Sequence, residues 1–165
     1  MLILPADHVI SDELNLRKTL ELARVAAEEG EMVLFGIPAD RPETGFGYIK
    51  AGRSEDDDGL APGAYRVTQF VEKPDSLRAG EFVRSGGYYW NSGMFLFRAS
   101  RYLDELRSHE PDIYDTCVLT LERSKATADM LIIDAGTFEC CPDNSIDYAV
   151  MEKTARACVV PLAAG

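Results

Sequence analysis

"MLILPADHVI" (residues 1–10) and "MVLFGI" (residues 32–37) frame the segment on which the fold turns. Each is a short apolar run stopped by a proline, Pro5 in the first and Pro38 after the second, and each reads as a buried strand. Between them Leu16, Leu20, Ala23 and Ala27 recur at helical spacing. Ser11 is the expected N-cap of that helix, Asp12 and Glu13 fill its first turn, and Gly30 stops it. Strand, helix and strand in this order imply a crossover unit with a parallel sheet.

The same punctuation continues along the chain. "AYRVTQFVEKP" (64–74) alternates Tyr65, Val67 and Gln69 with Arg66, Thr68 and Phe70 and ends at a proline, as a strand would. Asp75 caps a short helix, "SLRAGEFVRS", and "GYYWNSGMFLF" (87–97) follows as a strand. "ASRYLDELRSH" and "DIYDTCVLTLERSKA" are helices parted by Pro111, "SIDYAVMEKT" is a helix capped by Ser145, and "ACVVPL" is a last strand. Apolar runs alternating with amphipathic helices define a layered α/β sandwich. Residues 38–63 differ, being rich in Gly, Pro and charge around the insert "GFGYI", and the acidic run from Glu55 to Asp58 reads as a solvated loop tip.

With 165 residues, 46% of them hydrophobic, one domain with one core is expected. The net charge of -11 argues against general affinity for nucleic acid or an anionic membrane. The four cysteines form no CxxC pair and stand with only two histidines, which points to neither a zinc site nor a disulfide scaffold. No apolar window reaches the ~18 to 20 residues of a membrane span, and no basic region precedes an apolar one at the N-terminus, so a soluble cytoplasmic protein is expected.

In α/β sheets ligands gather at the carboxyl ends of strands. Three polar clusters fall there or beside: Asp7 and His8, Glu72 and Lys73, and "GFGYI". Alone, Asp7 reads first as a turn residue, with magnesium ligation as the alternative. Glu72 and Lys73 are strand neighbours whose side chains part to opposite faces unless the strand bends; an exposed edge pair competes with a carboxylate that accepts from hydroxyls and an ammonium that reaches a phosphate. The glycines of "GFGYI" suit either a hairpin turn or close approach of a ligand to the backbone. Asn91 is either a satisfied buried amide or a reader of sugar hydroxyls, and Gly93 marks a bulge or close approach.

Taken in order, "LPADHVI", "TGFGYI", "FVEKP", "WNSGMFLF" and "SIDYAVMEKT" closely resemble the sugar-nucleotidyltransferase family, and within it the bacterial mannose-1-phosphate guanylyltransferases. The resemblance implies a Rossmann-like nucleotidyltransferase sandwich with a mixed, mostly parallel sheet, and formation of GDP-mannose and pyrophosphate from GTP and mannose 1-phosphate with Mg²⁺. By the same resemblance Asp7 is the metal ligand, and Gly47 and Tyr48 line the mannose pocket. Glu72 and Asn91 bind sugar hydroxyls, Lys73 holds the sugar phosphate and serves catalysis, and Asp147 and Lys153 pack near the pocket. Another hexose-1-phosphate nucleotidyltransferase, or a non-catalytic binding module, are the competing readings.

Two features of the family have no counterpart here: its first strand with a glycine-rich loop, and a later motif carrying a second metal ligand. Residues 1–165 are therefore expected to be a partial nucleotidyltransferase domain holding the sugar-phosphate side of the site, inactive alone. A sheet without its first strand exposes an edge, which implies pairing with a second copy or poor solubility.

Overall fold

The computed structural model describes residues 1–52 and 60–163, so the acidic run from Glu55 to Asp58 lies outside the described residues. In chain order the elements are β1 (Leu2–Ile3), α1 (Glu13–Glu28), β2 (Met32–Pro38), β3 (Tyr48–Ala51), β4 (Tyr65–Val71), α2 (Ser76–Ser85) and β5 (Tyr88–Leu96). There follow α3 (Ala99–His109), α4 (Pro111–Arg123), β6 (Lys125–Ala126), β7 (Leu131–Ile132), α5 (Ala135–Phe138) and β8 (Ala157–Pro161). A π-helical turn, Asp147–Met151, precedes β8 where an α-helix is expected from the sequence. α4 ends at Arg123, short of the helix expected through Ala126, and Lys125–Ala126 form β6, which pairs with β7; β7 and α5 lie in a stretch to which the sequence reading assigns no elements.

The two-residue alternation of β2 explains the layers. Met32 and Leu34 enter one apolar cluster, with Phe95, Phe97, Leu106 of α3, Ile113 of α4 and Val150 of the π turn. Val33 and Phe35 enter the other, against Ala23, Ala26 and Ala27 of α1. β8 repeats the pattern, with Ala157 and Val159 on the first side and Cys158 and Val160 on the second. Burying such side chains stabilises the fold by about 1.5–3 kcal/mol each for the larger ones. A third cluster, Tyr48, Ala79, Phe82 and Trp90, seats α2 on β3 and β5.

The sheet order is β1-β5-β2-β8-β4-β3, with a further pairing between β5 and β3. The pairings therefore close on themselves, β2 to β5 to β3 to β4 to β8 and back to β2. The expectation of a mostly parallel sheet is corrected: β2–β8 is parallel, and the other pairings of this sheet are antiparallel. β5 runs back between β1 and β2, taking hydrogen bonds from both. The strand–helix–strand unit is thus present, with β1 and β2 pointing the same way, but it steps over a strand that arrives later in the chain. Burial on both faces, which makes a run continuously apolar, does not require parallel neighbours.

Local caps agree with the sequence at α2 but not at α1 or at the π turn, where the cap position falls on Ile146 and not on Ser145 and carries no side-chain hydrogen bond. Asp75 caps α2 by accepting from Arg78 N at 2.8 Å. At α1 the cap is Asp12, whose carboxylate accepts from Asn15 N at 2.9 Å, and Ser11 lies one residue too early. Among the described residues no helix is long and apolar enough to cross a membrane.

Candidate functional site

β5 is interrupted where "WNSGM" passes β2. Leu34 pairs with Phe95 and Gly36 with Asn91, so Ser92, Gly93 and Met94 stand opposite Phe35 alone. Such a bulge frees backbone groups and re-aims side chains. Gly93 takes it up at φ +71, a conformation that strains a residue carrying a Cβ. The freed donors are satisfied locally: Gly93 N donates to Asn91 Oδ1 at 3.2 Å and Met94 N to Ser92 Oγ at 3.3 Å. The polar centre of this apolar strand is thus a self-capped bulge. Asn91 Nδ2 also donates to Asp147 Oδ1 at 2.9 Å. One amide hydrogen and one lone pair of Asn91 remain for a ligand.

Beside the bulge lies a cavity of about 290 Å³ lined by Gly47, Glu72, Lys73, Trp90, Asn91 and Asp147, among others. Glu72 and Lys73 reach it together because the chain turns sharply after β4: Lys73 has φ +43. The neighbours are consequently on one side, with Lys73 Nζ 3.3 Å from Glu72 Oε1, although regular strand geometry would part them. They differ in setting, since the Glu72 side chain is 8% exposed and that of Lys73 59%. An exposed edge pair does not describe them.

Glu72 Oε2 is buried without a hydrogen-bond partner, and so is Trp90 Nε1. Leaving such a group unpaired costs about 1–3 kcal/mol. Burial pushes the Glu72 carboxyl above its ordinary pKa, the Asp147 charge adds to that, and Lys73 opposes it. Asp147 is also raised, chiefly by burial, with the Asn91 hydrogen bond acting against the rise. Two carboxylates and one ammonium therefore meet in a half-dry cavity. Gly47 makes room for them: a Cβ there would collide with Glu72 Oε2 and stand 3.3 Å from Asn91 Cβ.

A second cavity, of about 370 Å³, is lined by Asp7, Val9, Ile10, Pro38, Met94, Leu162 and Ala163 and shares His8, Ile37 and Ser92 with the first. It sits past the carboxyl ends of β1, β2 and β8, which run parallel to one another, where α/β sheets bind ligands. Asp7 belongs to this cavity and not to the one around Glu72. Among the described residues no three or more His, Cys, Asp or Glu side chains gather where they could together hold a metal ion.

Two residues placed at the pocket from sequence are elsewhere. Tyr48 is wholly buried in the cluster under α2, its ring centroid 5.4 Å from that of Phe82 and its hydroxyl accepting from Glu43 N at 2.8 Å. It opens β3 directly after Gly47, and its side chain enters the cluster with Ala79, Phe82 and Trp90. Lys153 lies past the π turn, where its Nζ donates to Glu110 Oε1 at 2.6 Å and ties that turn to the α3–α4 junction. Conversely, Trp90 and Phe46 line the Glu72 cavity without having been assigned to it, and His8, noted beside Asp7 but given no role, lines both cavities. Trp90 offered a signal in the sequence: an indole in a buried strand needs a partner for its N–H.

Cavities at the carboxyl ends of aligned strands mark where a layered α/β protein of this class binds its ligands. Residues 1–141 match the nucleotidyl transferase family, and the chain belongs to it. It is 72% identical over 165 residues to the alginate biosynthesis protein AlgA of Pseudomonas fluorescens, covering all of this chain and 34% of that protein. To a mannose-1-phosphate guanylyltransferase of Salmonella montevideo it is 52% identical over 169 residues, covering all of this chain and 35% of the relative. The crystal structure of mannose-6-phosphate isomerase from Helicobacter pylori matches it with a TM-score of 0.87 at 34% identity, over 99% of this chain and 62% of that one. The chain thus spans about a third of the length of the curated relatives it matches.

Proposed function

We propose that this chain supplies the sugar-phosphate half of a mannose-1-phosphate guanylyltransferase site. The observation that carries the proposal is the buried, unpartnered Oε2 of Glu72 in a cavity where Gly47 and Asn91 face it and Lys73 stands beside it. A carboxylate only accepts, so its missing partner is a donor, as a sugar hydroxyl is. Lys73, bent into the same cavity yet largely exposed, is placed to meet a phosphate as a point charge. The mannose phosphates named for two of the relatives support the choice of sugar.

The reaction is an in-line displacement: a phosphate oxygen of mannose 1-phosphate bonds to the α-phosphorus of GTP while the bond to pyrophosphate breaks. Catalysis of this kind rests on positioning and charge neutralisation. Glu72 and Asn91 orient the sugar, Lys73 offsets charge on the attacking phosphate, and Asp147 holds the Asn91 amide. Asp7 offers one hard oxygen ligand in the neighbouring cavity, which suits Mg²⁺ arriving with the triphosphate, because that ion takes one or two carboxylates and completes its shell with water and phosphate. When bound, Mg²⁺ neutralises phosphate charge.

Calorimetric titration with mannose 1-phosphate tests the binding half, with saturable uptake expected. An absence of binding overturns the proposal. Pyrophosphate release from GTP, mannose 1-phosphate and Mg²⁺ then separates transfer from binding alone.

A further inference from the structure

Among the described residues two buried side-chain polar atoms lack a partner, Glu72 Oε2 and Trp90 Nε1. Their residues line the same cavity. The two atoms are of opposite kind, since a carboxylate oxygen accepts and an indole N–H donates. A hydroxyl is the smallest group of a ligand that does both. We infer that Trp90 Nε1 is a specificity-determining donor of the sugar-phosphate site, reading, together with Glu72 Oε2, a hydroxyl of the bound sugar. The inference rests on the sugar-phosphate reading given above.

The groups that pack the indole do not accept from its N–H. Phe46 meets its ring edge-on, with centroids 5.5 Å apart and planes at 65°. The Arg41 guanidinium carbon stands 5.0 Å from the ring centroid, and the ring belongs to the cluster of Tyr48, Ala79 and Phe82. Arg41 is in turn tethered by Glu43 at 2.8 Å and Asp40 at 3.2 Å. A phenylalanine would satisfy the packing alone. What tryptophan adds at position 90 is larger area and a donor, and it is the single tryptophan of the chain.

That singularity gives the test. In a ¹H–¹⁵N spectrum of the protein one indole cross-peak is present; saturating mannose 1-phosphate is expected to shift it. Among monodeoxy analogues of mannose 1-phosphate, one is expected to leave it in place, identifying the hydroxyl that is read. In parallel, Trp90→Phe is expected to weaken mannose 1-phosphate binding about tenfold, the size of one buried hydrogen bond. It should bind the identifying analogue as well as the wild type does, because the same interaction cannot be lost twice. Wild-type binding with an unmoved indole signal, or penalties that add for each analogue, overturns the inference alone. Failure of the wild type to bind mannose 1-phosphate overturns the sugar-phosphate reading and the inference with it. The spectrum needs no substitution, so the test survives if Trp90→Phe does not fold.

Discussion

The stretch where β2 lies against β8 and the wall where β3, β4 and β5 meet the cavity belong to one sheet and follow different rules. Met32 to Phe35, Cys158 and Val159 are fully buried, alternate cleanly between two apolar clusters and carry no strained backbone. Around the cavity stand a lysine at φ +43, a glycine at φ +71 within a bulge, two carboxylates raised above their ordinary range and two orphaned polar atoms. Strain and unsatisfied groups of this sort persist only where rigid surroundings over-determine them, and they concentrate at functional sites. The parallel pair β2–β8 is the rigid part, and the bulged wall is the part built for something that is not protein.

If so, the two regions should fail in different ways. Phe35→Ala opens a cavity in the β2–β8 region and is expected to cost about 3–5 kcal/mol in denaturant unfolding. Phe46→Ala, at the half-exposed rim of the binding cavity, should cost less than half as much. Equal losses would mean that the wall is as tightly built as the core. The reverse asymmetry is expected of Gly47→Val. Its side chain occupies the place of the Glu72 carboxylate, and mannose 1-phosphate binding should fall by about a hundredfold, the scale of a misplaced binding group. Retained affinity would show that Glu72 does not hold the sugar.

The sequence made the elements legible and the pairings much less so. Prolines, glycines and caps placed α1, α2, β4 and β8 within a few residues, because those signals are local. The insertion of β5 between β1 and β2 is a contact across more than fifty residues, and an apolar run does not say which way its neighbours point. At the site, Glu72, Lys73, Asn91, Gly47 and Asp147 were readable through a family pattern and do share a cavity. Tyr48 was not separated from Gly47, and its place in the cluster with Ala79, Phe82 and Trp90 is a matter of packing. For Trp90 the sequence shows only that a buried indole needs a partner; that its N–H is left without one is a property of the surroundings.

Lys73 sharpens the contrast further. A non-glycine residue at positive φ costs about 1–3 kcal/mol, so Lys73→Gly should leave the protein as stable or slightly more so. The same change removes the ammonium, and a hydrogen bond to a charged group is worth ~1.5–3 kcal/mol, so affinity for mannose 1-phosphate should fall roughly 10- to 100-fold. Lys73→Ala should lose affinity equally while keeping the strain. A stability loss in Lys73→Gly, measured by thermal unfolding, would mean that the bend is held by the lysine side chain and not by its surroundings.

The smallest effect is the most specific. Glu72 and Asp147 bind their protons more tightly in the folded chain than in the unfolded one, principally through burial. Between the ordinary carboxyl range and their raised values the folded state therefore holds more protons, and stability falls as pH rises through that window. Below the window the two groups contribute nothing, and above it the loss is complete. Glu72→Gln removes one of the opposed charges at the cost of an ion pair with a largely exposed lysine, which is worth little. The variant should match the wild type in acid, exceed it by up to about 1 kcal/mol at neutral pH, and bind mannose 1-phosphate poorly. Ligand should act on the wild type in the same direction: a sugar hydroxyl donating to Glu72 Oε2 favours the carboxylate, so binding within the window releases protons. Titrations in buffers of different ionisation enthalpy measure that release. No release in the wild type, or a Glu72→Gln variant that keeps the wild-type slope of stability against pH, would place the acid sensitivity outside the cavity and remove the thermodynamic mark that sets this wall apart from the β2–β8 core.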